Sequence, residues 1–117
     1  MIVLGIFCLN HYTDKMLEIR PNCELCDKDL LPEATDACIC TYECTFCRRC
    51  VDEVLNNVCP NCGGGFVSRP IRPKTAYRKN VSLANQKAST KRIHSPYSHN
   101  QIQQFSDSLK HISPEKR

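Results

Sequence analysis

The sequence predicts a small α+β domain over residues 16–73, stapled by metal ions and followed by a basic, largely disordered tail over 74–117. Three observations carry that prediction. All ten cysteines but Cys8 fall between Cys23 and Cys62. That stretch is about forty residues, near the limit below which an apolar core alone does not hold a fold. The charge divides in the same way. Residues 16–67 carry four basic side chains against nine acidic, a net of −5, whereas residues 68–117 carry eleven against two, a net of +9.

So short a domain needs staples, either disulfides or metal. A disulfide protein needs an export signal. The run MIVLGIFCL has no basic n-region and no small-residue cleavage site, Phe7 is too bulky for a lipoprotein-type site before Cys8, and the run is too short to span a bilayer. A cytoplasmic chain with reduced thiols is expected, and there clustered cysteines bind metal.

The elements follow in chain order. Cys23-x2-Cys26, in CELCDKD, is a turn that sets two thiolates on one side of a tight knuckle, as tetrahedral zinc requires. Ala37 to Phe46 alternates well enough for a hairpin carrying Cys40 and Cys44, with Ile39, Tyr42 and Phe46 as its apolar contacts. Cys44-x2-Cys47 and Cys47-x2-Cys50 come next. Val51, Val54, Leu55 and Val58 then stand at helical spacing for a short helix packed inward, which Pro60 breaks. Cys59-x2-Cys62, in CPNCGGG, forms the last knuckle, where glycine permits a positive φ beside a sulfur cage.

Without Cys38, the cluster reads C-x2-C-x13-C-x3-C-x2-C-x2-C-x8-C-x2-C, enough sulfur for two four-cysteine zinc sites. Cys38 reads as an exposed thiol one strand position from a ligand. It could also replace Cys40 or Cys44, or be activated by Arg48 and Arg49. His11, His94, His99 and His111 lie outside the cluster, so none is expected as a ligand. Iron–sulfur binding fits less well than zinc for eight cysteines in knuckles.

The tail is rich in Pro, Ser, Asn and Lys and poor in large apolar residues, a composition that does not offset ordering entropy. One piece differs. Ile102, Phe105, Leu109 and Ile112 form a helical stripe over 100–112, which Asn100 would cap and Ser113-Pro114 would end. A helix of about a dozen residues is marginal alone and needs a partner surface.

The cysteine spacing resembles that of the RING finger, with cysteine at the position usually held by histidine. That resemblance implies a RING-like or treble-clef module in which the pairs interleave. Cys23, Cys26, Cys47 and Cys50 would hold one zinc, and Cys40, Cys44, Cys59 and Cys62 the other. A sequential pairing (23, 26, 40, 44 and 47, 50, 59, 62) uses the same ligands and stays open. RING ligases dock a ubiquitin-conjugating enzyme through an apolar residue, a Trp and a Pro. Leu25 and Pro60 match the first and last, but the chain has no Trp. Gly63 also stands where active ligases often have a basic residue.

From Met16 to about Pro73 the chain resembles a bacterial family catalogued as domain of unknown function 1272. MLEIRPNCELCDKDL, ICTYECTFCRRC and VCPNCGG carry the resemblance. It implies cysteine at the eight ligand positions and none at Cys38. It also implies a natural start at Met16, with residues 1–15 an upstream extension, and it brings no activity with it.

Together these readings predict a non-enzymatic zinc-binding module with two Zn2+, serving as an interaction or regulatory adaptor. Closed four-thiolate zincs are structural, and neither a catalytic triad nor a phosphate-binding loop is visible. The alternatives are a RING-type ligase and a redox or zinc-handling thiol protein. RPIRPK, RKN and KRIH suit phosphate contacts, with Tyr77 and Tyr97 available to stack, which makes nucleic acid a candidate partner beside a protein. A third partner for the tail is internal. Two four-thiolate zincs carry −2 each and take the domain from −5 to about −9, a docking surface for a +9 tail. No membrane and no small-molecule substrate are expected.

Overall fold

A computed structural model describes residues 16–117; the apolar run MIVLGIFCL and Cys8 lie outside the described residues. The architecture is a three-stranded antiparallel sheet, a short helical segment beside it, and a long carboxy-terminal segment laid over both. Strand β1 (Ala37–Ile39) sits in the middle, between β2 (Thr45–Cys47) and β3 (Val67–Ser68). Cys38 pairs with Phe46 on one side and Ser68 on the other. The hairpin thus forms where the alternation places it, and β3 adds a strand that two residues are too few to announce.

The chain leaves β2 directly into α1 (Arg48–Cys50), which continues as a π-helical turn, Val51–Leu55. Val51, Leu55 and Val58 are buried, so the apolar spacing places them correctly. The stop differs from expectation. Asn56 and Asn57, at φ 51° and 59°, turn the chain before Pro60 is reached, and asparagine is among the few residues that tolerate this left-handed region. Phe46 and Phe66 meet edge to face with centroids 5.4 Å apart, and Leu30, Ala37, Val51 and Leu55 pack around them. Tyr42, expected as an apolar contact, is 72% exposed at the hairpin tip.

Cys38 requires a correction. It is fully buried, in the middle strand, and contributes to the core rather than to the surface. Burial pushes its thiol up, with the Arg48 guanidinium acting in the opposite direction, so it is held as a neutral thiol rather than an activated one.

The tail requires another. Expected as largely disordered, residues 74–117 take a fixed path across the domain. Residues 73–86 fold back on themselves through Leu83 N–H to Pro73 O and Gln86 N–H to Ser82 O. Ser89 N–H then reaches Glu18 O and Ser95 N–H reaches Glu24 O. Helix α2 (His99–Leu109) follows. Its cap is Ser98, not Asn100: the Ser98 hydroxyl accepts from Gln101 N–H while the Gln101 side chain accepts from Ser98 N–H. Ile102 is buried, Phe105 is partly exposed, and Ile112 falls beyond the helix. Composition misses this order because the tail builds no core of its own. It borrows carbonyls and carboxylates that the domain already offers.

Candidate metal centre

Two knuckles organise the site, and they share one hydrogen-bonding plan. In the first, Asp27 N–H donates to Cys23 O and Cys23 N–H to Lys28 O, both at 2.9 Å. In the second, Gly63 N–H donates to Cys59 O at 2.7 Å and Cys59 N–H to Gly64 O at 2.8 Å. Each turn closes through a residue of positive φ immediately after its second cysteine, Asp27 at 65° and Gly63 at 81°. The hairpin tip makes a third, related turn, with Glu43 at φ 66° and Glu43 N–H on Cys40 O. Backbone N–H groups also point at the sulfurs themselves, Tyr42 to Cys40 Sγ at 3.3 Å and Gly64 to Cys62 Sγ at 3.4 Å.

One buried carboxylate registers the first knuckle against the sheet. Glu24, between Cys23 and Cys26, accepts from Thr45 N–H at 2.6 Å and from Arg20 Nη1 at 2.9 Å, while Glu24 N–H donates to Thr45 O. Burial raises its pKa, opposed by the Thr45 N–H and by Arg20. This clamp puts the knuckle beside β2, where Cys47 ends the strand and Cys50 follows one helical turn later. Sequence reasoning missed Glu24, because nothing in CELC distinguishes it from a surface acid.

The sulfurs gather into two groups. Those of Cys23, Cys26, Cys47 and Cys50 all lie within 4.8 Å of one another, and so do those of Cys40, Cys44 and Cys59. The Cys26 and Cys47 sulfurs are 3.8 Å apart. A tetrahedral ion bound to sulfur at ~2.3 Å separates neighbouring sulfurs by about 3.8 Å. Cys62 stands outside the second group, half-buried on an open cleft lined by Tyr42, Cys44 and Asn61. All nine described cysteines are free thiols.

Thiols packed this closely cannot all ionise unless a cation lies among them. In the first group burial pushes Cys23 and Cys50 up, and the neighbouring sulfurs push Cys50 further. Cys26 is lowered although burial opposes it, because Lys28 N–H and the thiols around it all donate to its sulfur. In the second group donation from Cys44 and Cys59 draws Cys40 down to about 3, while Cys59, the donor, is pushed up. Without a cation each group therefore keeps most of its thiols protonated, and a shared metal ion is what would let them ionise together. Both groups are cysteine only. His94 lies 3.9 Å from Asp27, beside the first knuckle, and belongs to neither.

Several cations expected at phosphates are engaged elsewhere. Arg69 is buried and donates to the carbonyls of Arg20 and Leu31, both at 2.8 Å. Arg72 donates to Leu17 O and Gln86 O, and Arg92 to Asp27 and Asp29. No helix among the described residues is long and apolar enough to cross a membrane.

Fold and site define a small α+β domain whose cysteine clusters could hold metal ions. The chain belongs to the family described as protein of unknown function (DUF1272), whose profile matches residues 16–72. An uncharacterized protein of Rhizobium meliloti (strain 1021) is 56% identical to it over 64 residues, covering 55% of this chain and 76% of that one. No solved structure matches the chain.

Proposed function

We propose that the domain is a non-enzymatic module held by two structural zinc ions, one on Cys23, Cys26, Cys47 and Cys50 and one on Cys40, Cys44, Cys59 and Cys62. The gathering of four and of three sulfurs within 4.8 Å, with Cys26 and Cys47 at tetrahedral spacing, supports this reading. Zinc suits soft thiolates in closed four-fold sets, and such sets leave no coordination position for water. Cys62 completes the second set by closing onto Cys40, Cys44 and Cys59. Metal analysis of protein purified under reducing conditions should give two zinc ions per chain; one or none overturns the assignment.

The module's use is to present a basic loop to a polyanion such as nucleic acid. Lys74, Arg78, Lys79, Lys87 and Lys91 are exposed, and none has a carboxylate partner among the described residues. Tyr77 lies among them at 83% exposure, free to stack on a base. Binding to single-stranded nucleic acid should weaken with salt, by a log–log slope of about 0.7 per phosphate contacted. Salt-independent binding, or none at low salt, removes this part of the proposal.

The RING-type alternative is less well supported, because Pro60 lies buried beside α2 and the chain has no Trp. One observation favours a zinc-handling role as second reading: Cys62 sits apart on an open cleft, where a ligand can exchange. Zinc that leaves the second site readily under mild oxidation, with the first site intact, would select it.

A further inference from the structure

The segment after residue 91 follows the outer faces of both knuckles, one after the other. Arg92 grips the first knuckle: Nη2 donates to Asp27 Oδ1 at 2.8 Å and to Asp27 O at 2.7 Å, and Nη1 to Asp29 Oδ1 at 2.7 Å. Ile93 exchanges bonds with Asn22, the residue before Cys23. Asn22 Nδ2 donates to Ile93 O at 2.8 Å, and Ile93 N–H to Asn22 Oδ1 at 3.2 Å. Ser95 N–H donates to Glu24 O, between the two cysteines. Helix α2 then crosses to the second knuckle and the π turn. Ile102 is buried, the Ser106 hydroxyl donates to Leu55 O at 2.9 Å, and Phe105 and Leu109 close over Gly63.

The platform for this segment is made of the residues flanking the cysteines, in the backbone conformation that the knuckles impose. Asp27 presents its carboxylate to Arg92 from a positive-φ position that the closed turn requires. The charge acts in the same direction, since loading two four-thiolate sites makes the domain more negative by about four units and so favours an Arg-led segment. The family profile stops at residue 72, so the platform belongs to the shared domain and the segment lies beyond it.

We propose that the outer face of the two knuckles is a peptide-docking surface, and that residues 92–109 are its ligand, held in cis and bound more tightly when the metal sites are loaded. The proposal rests on the zinc reading above. Because coupling is reciprocal, the docked segment must in turn retain the metal. Docking mode and ligand chemistry are those of an amphipathic helix in a groove, preceded by an arginine that finds two carboxylates.

The test uses the full chain. Zinc loss to a chromogenic chelator is followed for the unaltered protein, for Arg92→Gln, and for the double variant Arg92→Glu with Ile102→Asp. All three should start with two zinc ions. The double variant should release them on the order of tenfold faster, a typical coupling between sites, and Arg92→Gln by a smaller factor. A synthetic peptide of residues 90–112, added in excess to the double variant, should restore slow release. Equal release rates in all three proteins would overturn the proposal, as would failure of the peptide to rescue. If the double variant does not fold, Arg92→Gln decides alone, since it alters an exposed side chain; release at the unaltered rate then overturns it. Absence of zinc from the unaltered protein refutes the metal reading instead, so the two failures are distinct.

Discussion

The burial of Cys38 can be tested at a single atom. Replacing it with Ser exchanges a weakly polar sulfur for a hydroxyl in the middle strand, fully removed from solvent. Among the described residues Cys38 Sγ takes part in no side-chain hydrogen bond. A buried hydroxyl without a partner costs about 1–3 kcal/mol. Cys38→Ser should therefore lower the denaturation midpoint at fixed free zinc by that amount, while both metals stay bound. Cys38→Val, of similar size and no polarity, should cost less. The companion assay is alkylation with iodoacetamide followed by mass mapping. In the zinc-loaded protein Cys38 should be modified only as fast as the domain opens, because it is enclosed and its thiol is held neutral. Modification at the rate of a free surface thiol, or a Cys38→Ser variant as stable as the parent, would refute the placement of this residue in the core.

Other outcomes follow from the same geometry. Chelating the metal should collapse the dispersed amide NMR signals of residues 20–67, since zinc binding worth about 10–16 kcal/mol in finger peptides is folding energy. Lowering the pH should release zinc as well, because thiolate ligands must lose their protons to bind and regain them in acid. Glu24→Ala leaves the Thr45 N–H without its acceptor and Arg20 with Glu18 alone, and should cost about 1–3 kcal/mol, read as a higher free-zinc concentration needed to keep the fold; Glu24→Gln, which can still accept from Thr45, should cost less. Gly63→Ala places a β-carbon 3.3 Å from Leu109 Cδ1 at φ 81° and should cost about 1–2 kcal/mol, with fraying of α2 visible in amide exchange.

What the sequence revealed and what it hid divide along a physical line. The knuckles and the helix after Cys50 were legible because their signals are local. CxxC turns, glycine runs and helical spacing all act within a few residues. Strand β3 was hidden because Val67–Ser68 is too short for any period to be read. Cys38 was misread because alternation assumes that one face of a strand meets water, whereas Ala37 and Cys38, on opposite faces of β1, are both buried. Arg69 and Arg92 were assigned to phosphates on charge alone, whereas their partners are carbonyls and carboxylates far away in sequence. One miss was avoidable. Ser98 and Gln101 have capping-box spacing, which marks the start of α2 more surely than Asn100 does.

The two knuckles make the same turn, yet one closes it with Gly63 and the other with Asp27. Glycine enters the left-handed region freely, whereas a residue with a β-carbon does so at some cost. On backbone grounds Asp27→Gly should therefore relax the first knuckle. The carboxylate that would be lost is the one Arg92 holds. Position 27 thus sets two demands against each other, an easier turn or a grip on the far end of the chain. A variant with glycine in both knuckles would separate them, with a first turn that closes more readily and a carboxy-terminal segment that has lost its anchor.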